Sequence, residues 1–436
     1  MKFIKQAPAP NRAVDQSIGE IVEGMLKVIE SGRENAALEY AEELDGWRGN
    51  VVLSDAKRAA LIEQVPSQMR EDIEFAHAQV KRFAEAQRGS LTEFEIETAP
   101  GVCLGQRVVP VQCAGCYVPG GRYAHIASAL MSIATAQVAG VAHIIACSPP
   151  HGDSIHPAIV CAMDLAGADC ILEIGGVQGI AALAYGLFTE READVIVGPG
   201  NAYVAEAKRL LFGRVGIDVL AGPTESAIIA DDSADPMTVA VDLVSQAEHG
   251  PTSPVWLFTT SRALGERVAA IVPKLAADLP SEEVVSAAWR DFGEIVLCQD
   301  REEVVTVSDR YAPEHLQVMA RGLDWWKRRL RNYGSLFLGE GSTVTHGDKC
   351  SGTNHILPTA GAARYSGGLN VHKFMKVLTY QEIDAQANER LSAVGSRISR
   401  VEGMEGHARA CDWRLRTYFP DREWPFEVAD LKRYDG

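Results

Sequence analysis

The chain has 436 residues, enough to bury a large core and to form two or three domains. Its 47% hydrophobic and 23% charged content is that of a soluble globular protein, and its net charge of −16 argues against non-specific binding to nucleic acid or an anionic membrane. Nine cysteines, odd in number and irregularly spaced, fit a reducing compartment rather than a disulfide framework.

The opening MKFIKQAPAP lacks the apolar run of a signal peptide, so a cytoplasmic location is expected. Residues 13 to about 90 are rich in Glu, Arg and Ala with apolar spacing near 3.6, which predicts helices. The segment FEIETAPGVCLGQRVVPVQ then alternates as strands do. Cys113 and Cys116 form one CxxC with no second pair, and read as buried small residues rather than a zinc or redox site. Tyr117 precedes the Gly120–Gly121 turn, where its ring can stack on a planar cofactor or pack in the core. From Ile126 to Pro150 no charge occurs. Polar Ser128, Ser132, Thr135, Gln137 and His143 interrupt the stretch, so a buried helix followed by the strand VAHIIAC explains it better than a membrane span.

Apolar β-rich runs recur at CILEI, DVIVG, IDVLA, PVWLFT, EIVLC and SLFLG, with helical segments such as NAYVAEAKRLL and PMTVAVDLVSQAEH between them. That alternation predicts βαβ units and largely parallel sheets, an α/β fold. VGPGNAYVAEAK follows a strand and opens a helix, where backbone N–H groups can meet a phosphate. Gly198-x-Gly200-x-x-Tyr203 lacks the third glycine of the dinucleotide fingerprint, however, and reads first as a turn needing two glycines. From about Lys373 the chain is expected to become helical and charged before an aromatic tail.

Within this pattern stand residues able to do chemistry. Gln246 and His249 share a helix face just before the terminating Gly250–Pro251. Glu314–His315, Asp348 and His407 follow. Taken singly these are a helix-terminal histidine, turn chemistry and a surface histidine. Taken together they offer N/O ligands for a metal, a histidine that titrates near neutral pH and a carboxylate beside it. Neighbouring strand residues point to opposite faces, so Glu314 and His315 serve one site only where the backbone turns, as Pro313 allows. A metal-dependent alcohol oxidoreductase accounts for the set. The alternative class is a zinc hydrolase or a non-catalytic metal-binding protein, and a hydrolase has no use for the GPGN turn.

The segments CYVPGGRY, VAHIIACSPP, IGGVQGIAALAYG, VGPGNAYVAEAK, IDVLAGPTESAIIAD, DLVSQAEHG, APEHL, GSLFLGEGS, GDKCSGTNHILPT and EGMEGH run in order from about residue 100 to 410. In them the chain resembles the histidinol dehydrogenase family. The resemblance implies zinc held by Gln246, His249, Asp348 and His407, a catalytic pair of Glu314 and His315, and Tyr117, Gln178 and Asn201 near NAD. It implies a homodimer with shared sites, in which the C-terminal segment crosses over and Glu402 and His407 complete the partner's site. Such enzymes oxidise a primary alcohol through the aldehyde to a carboxylate with two NAD. The expected fold is α/β with two Rossmann-like parallel-sheet domains, over 126–235 and 236–372. An N-terminal helical region with strands is expected over 1–125, and a swapped helical C-terminal segment over 373–436.

Departures from the family pattern bear on the substrate. Ala127 stands where a serine usually contacts it, Lys349 where a tyrosine usually follows the metal aspartate, and Thr224 for the serine of AGPSE. With Arg122 after the double glycine, these changes disfavour a cationic amino alcohol and favour an anionic group such as a sulfonate. Thr224, Lys349, His355, Glu402 and Arg122 are the expected substrate contacts, with His125 or Arg364 as alternative partners of the anion. The pattern is similar to the branch that oxidises 2,3-dihydroxypropane-1-sulfonate to 3-sulfolactate. A histidinol dehydrogenase with Arg122 and Lys349 on surface loops is the alternative.

Overall fold

The computed structural model describes residues 2–8, 16–120, 124–219 and 222–430. The chain divides into two compact units, Met1–Gly89 with Pro110–Phe374, and Ser90–Val109 with Met375–Gly436.

The first unit begins with β1 (Lys2–Lys5) and three helices, α1 (Gln16–Asp45), α2 (Asp55–Glu63) and α3 (Ser67–Arg88). On α3 the buried residues Ile73, Ala76, Val80 and Ala84 recur at the helical period, so one stripe faces the core. The chain then leaves for the second unit through β2 (Phe94–Ala99) and β3 (Val102–Pro110) and returns.

On its return it builds β4 (Cys113–Tyr117), α4 (Ile126–Ala139), β5 (His143–Ser148), α5 (Pro157–Ala166) and β6 (Cys170–Glu173). α6 (Gly176–Tyr185), β7 (Val195–Val197), α7 (Ala202–Leu211) and β8 (Gly216–Ile217) complete this layer. The strands pair in the order β6-β5-β4-β7-β8, all parallel. Strand order reverses between β4 and β7, the place where open α/β sheets form a ligand crevice beyond their carboxyl ends. The charge-free stretch forms the buried helix α4 and then β5, as its polar interruptions predict. Ser132 and Thr135 stay buried there by turning their hydroxyls onto the carbonyls of Ser128 and Met131. No helix among the described residues is long and apolar enough to cross a membrane.

The second parallel layer holds β9 (Ser226–Ala230), α8 (Pro236–Ala247), β10 (Val255–Thr259), α9 (Arg262–Ala277), α10 (Glu282–Phe292) and β11 (Glu294–Leu297). α11 (Arg301–Tyr311), β12 (His315–Met319), α12 (Leu323–Arg329), β13 (Ser335–Leu338) and α13 (Val344–Lys349) follow. Its order, β1-β11-β10-β9-β12-β13, repeats that of the first sheet, with β1 added antiparallel at one edge. The run IDVLA contributes only Ile217 to the two-residue β8. Asp218 after it turns inward, where its carboxylate accepts the Gly198 N–H at 2.7 Å and the buried Lys208 ammonium.

In the second unit the residues after Lys373 first form a strand, β14 (Met375–Ile383), and not the expected helix. Its β-branched and aromatic Val377, Thr379 and Tyr380 favour extension, and it pairs in the order β14-β3-β2. The helices α14 (Ala385–Val401) and α15 (Glu405–Tyr418) follow, packed on each other over Ala393 and Leu415. The aromatic tail closes this small core, since Phe419, Trp424 and Phe426 pack against it with Val428.

Candidate active site

The amino ends of β9 and β12, neighbours in the second sheet, bring the first catalytic candidates together. His315, the first residue of β12, stands in register with Ser226 of β9 and Ser335 of β13. α11 ends in a left-handed residue, Ala312 at φ 49°, and Pro313 then turns the chain into the strand. Gly334 lies so close behind that a Cβ there would sit 2.5 Å from the Glu314 carbonyl oxygen. The turn lets both side chains serve one place: Glu314 and His315 are buried, with Glu314 Oε2 3.6 Å from His315 Nδ1.

Glu225, immediately before β9, holds the pair. Its N–H donates to Glu314 Oε2 at 2.9 Å, and its carbonyl lies 3.2 Å from His315 Nδ1. Its own Oε1 accepts the Ala360 N–H, while burial pushes its carboxyl up to about 7. Sequence reasoning passed over this residue. The only signal for it was a carboxylate beside Thr224, in a Gly-Pro turn that opens a central strand.

Asp348, near the end of α13, is the hub. Its Oδ1 accepts from His355 Nδ1 at 2.8 Å and lies 3.4 Å from His315 Nε2, while Oδ2 lies 3.6 Å from His249 Nε2. Burial alone would raise the Asp348 carboxyl, yet the three histidines hold it well below the usual carboxylate range. Burial raises Glu314. Burial would lower His315, but the carboxylates of Glu314 and Asp348 outweigh it and draw the imidazole up. His355 is lowered by burial, and both its ring nitrogens are engaged, the second with Thr353 Oγ1 at 3.2 Å. Gly347 makes room for that ring, since a Cβ there would come within 2.3 Å of it.

The amino end of α4 borders the same site. Asn354 donates to the Met131 carbonyl at 2.9 Å. His125, which precedes α4, is pushed down to about 4 by burial and by the positive fields of Lys349 and His249. Lys349 thus acts on both His125 and His355 as a cation of the site. Thr224 immediately precedes Glu225 and Ala127 lies in the first turn of α4. Arg364 gives its guanidinium to the Arg310 carbonyl. Arg122 lies outside the described residues.

The metal candidates can be tested on their donor set. Gln246 is 3% exposed and its Oε1 is buried without a partner, one helical turn from His249. An orphaned acceptor beside a histidine and a carboxylate held ionised suits a borderline cation such as zinc. Among the described residues His315, Asp348 and His355 also place ligand atoms within 4.8 Å of one another. In that second set Asp348 Oδ1 is already taken by His355, so the oxygen turned to His249 is the better placed for a cation. Glu402 and His407 lie in the second unit, at the end of α14 and in the first turn of α15, both exposed.

The cofactor candidates belong to the carboxyl edge of the first sheet. Tyr117 ends β4 and is packed in the core, its hydroxyl accepting the Gly176 N–H at 3.3 Å. Gln178 on α6 is buried, its amide donating to Asp45 and its Oε1 left without a partner. Asn201 caps α7 through the Val204 N–H. The two glycines of the turn are required by the turn itself. Gly198 sits at φ 118°, where a Cβ would lie 1.9 Å from the Tyr117 oxygen, and one on Gly200 would meet Val204 at 2.3 Å. Tight backbone, an orphaned amide oxygen and a helix start at a topological switch point form a cradle that fits a dinucleotide.

Comparison with known proteins agrees with this geometry. The family model described as histidinol dehydrogenase matches residues 9–415. A sulfopropanediol 3-dehydrogenase of Ruegeria pomeroyi is 54% identical over 424 residues, 97% of this chain and 98% of that one. A histidinol dehydrogenase homolog of the same organism is 56% identical over 420 residues, 96% and 97% of the two chains. The crystal structure of histidinol dehydrogenase from Elizabethkingia anophelis superposes with a TM-score of 0.88 at 32% identity, covering 94% of each chain. A match along almost the whole length, together with the shared fold, makes this chain a member of the histidinol dehydrogenase family.

Proposed function

We propose that this dehydrogenase oxidises the primary alcohol of a small sulfonated diol, 2,3-dihydroxypropane-1-sulfonate, through the aldehyde to the carboxylate of 3-sulfolactate. The observation that carries the substrate reading is Lys349, next to Asp348 in the chain, whose positive charge acts on the buried rings of His125 and His355. A sulfonate offers three acceptor oxygens to such a cation, whereas the ammonium of an amino alcohol would be repelled. The name of the 54% identical relative supports the same choice.

Gln246, His249 and Asp348 would hold zinc, with His407 of a second copy as a fourth ligand, and the carboxyl edge of the first sheet near Tyr117, Gln178 and Asn201 would hold NAD. When bound, zinc supplies a Lewis acid at the alcohol oxygen and NAD accepts the hydride. The chain's own groups do the rest. With the Asp348 charge, which draws the His315 imidazole up, engaged by a cation, His315 would keep its proton on Nδ1 against the Glu225 carbonyl and offer Nε2 to the hydroxyl proton. Glu314, held by the Glu225 N–H, takes the proton of the water that adds to the aldehyde. Over both oxidations one alcohol, one water and two NAD give one carboxylate, two NADH and three protons.

The test compares kcat/KM on 2,3-dihydroxypropane-1-sulfonate, glycerol and histidinol with one zinc-loaded preparation. The sulfonate should be preferred, and Lys349→Ala should raise its KM about tenfold to a hundredfold, the loss of one charge-assisted hydrogen bond. Preference for histidinol would reject the sulfonate and make this a histidinol dehydrogenase.

A further inference from the structure

Behind the proposed zinc ligands lies a buried polar cluster that none of the roles above uses. Asp242 is 8% exposed and sits on α8 four residues before Gln246, on the same helix face. Its Oδ1 accepts the Thr343 hydroxyl at 3.0 Å, and Thr343 precedes the first residue of α13, the helix that ends in Asp348 and Lys349. Burial raises the Asp242 carboxyl, and fully buried Gln317 turns its amide toward it and, with Thr343, opposes that rise. The amide is too loosely placed for a well-formed hydrogen bond, since both its polar atoms and Asp242 Oδ2 lack a partner. Gln317 follows His315 by two residues on β12 and so faces the same side of the sheet. One carboxylate therefore meets the three elements that carry Gln246, His315 and Asp348.

Such an arrangement is costly as plain packing. Buried polar atoms without partners are destabilising, and apolar side chains of similar shape would fill the space better. The cost has a local return, because α13 is six residues long and a helix that short does not hold itself. Its first turn is tied to α8 through Asp242, and its last turn presents Asp348.

We propose that Asp242 is a positioning residue for the metal site. Through Thr343 it ties α13 to α8, so that Gln246 and Asp348 converge, with Gln317 of β12 turned toward the same carboxylate beside His315. The proposal rests on the zinc reading given above.

Zinc transfer from the loaded protein to a chromogenic chelator tests it without reference to activity. Asp242→Ala should lower zinc affinity about tenfold to a hundredfold, the usual effect of removing a residue that orients metal ligands. Thr343→Val should shift it in the same direction. Asp242→Asn, which keeps an acceptor for Thr343, should recover most of the loss. A purely structural role would lower the unfolding temperature in all three and leave the affinity alone. Parental zinc affinity in Asp242→Ala and Thr343→Val overturns the proposal, and if Asp242→Ala fails to fold, Thr343→Val decides. Asp348→Ala marks the zinc reading separately. Undiminished binding there rejects that reading, whereas loss there with no change in the other variants rejects the positioning role alone.

Discussion

His315 has a partner at each ring nitrogen: Nδ1 faces the Glu225 carbonyl at 3.2 Å, and Nε2 lies 3.4 Å from Asp348 Oδ1 and 3.2 Å from His355 Nδ1, which suits the proposed base. A base held in one tautomer and aimed at the reacting atom typically contributes about 10²–10⁴ in rate. His315→Ala should therefore lower kcat by about that factor while the bound zinc stays at one per chain. Asp348→Ala should instead lose zinc and activity together, because three histidines face that carboxylate and no neighbour replaces it. Measuring metal content beside turnover separates the two outcomes. A His315→Ala protein that also loses its zinc would make His315 a ligand, as its place among His315, Asp348 and His355 permits.

At the scale of elements, the legible parts were those whose burial leaves a compositional trace. α4 and β5 announce themselves by a charge-free run, and the alternation of apolar runs with amphipathic helices marks both parallel sheets. The two strands that build the site were the hard ones. In SAIIA and HLQVM, Ser226, His315 and Gln317 interrupt the apolar run, since strands that carry function give core positions to polar side chains. Glu225 was invisible for a related reason: it acts largely through its main chain, which any residue shares. In the second unit the α14–α15 pair depends on one buried carboxylate. Asp412 accepts from Ser396, from Arg400 and from the Ala429 N–H, joining both helices to the tail. Asp412→Ala should leave the Ser396 hydroxyl and the Ala429 amide without an acceptor, each costing about 1–3 kcal/mol. Amide exchange should then rise first in α14 and α15. Burial would raise the Asp412 carboxyl, but Arg400 and its other donors hold it below its ordinary value of 3.8. The unfolded chain binds that proton more readily, so the stabilisation is complete above this pH and is lost as the pH falls further. Unchanged exchange in Asp412→Ala, or a helix pair that loosens on raising the pH instead, would reject this account.

For the molecule as a whole, the two sheets share one strand order but offer opposite ends to chemistry. The first presents its carboxyl edge at Tyr117 and Gly198, and the second its amino edge at Glu225, Glu314 and His315. The proposed dinucleotide site at one sheet and proton-moving site at the other would divide the work of a dehydrogenase between two related halves. The proposed ligand set leaves one member outside this unit. Gln246, His249 and Asp348 belong to it, while His407 and Glu402 are exposed residues of the second unit. If they act on a second copy, each site is composite and two different lesions can complement. Chains carrying His407→Ala and chains carrying Glu314→Ala should each be inactive when expressed alone. Co-expressed at equal levels, they should recover about one quarter of the parental activity, because half of randomly formed dimers are mixed and one of two sites in each is intact. Were His407 to serve its own chain, every site would carry a lesion and the mixture would stay silent.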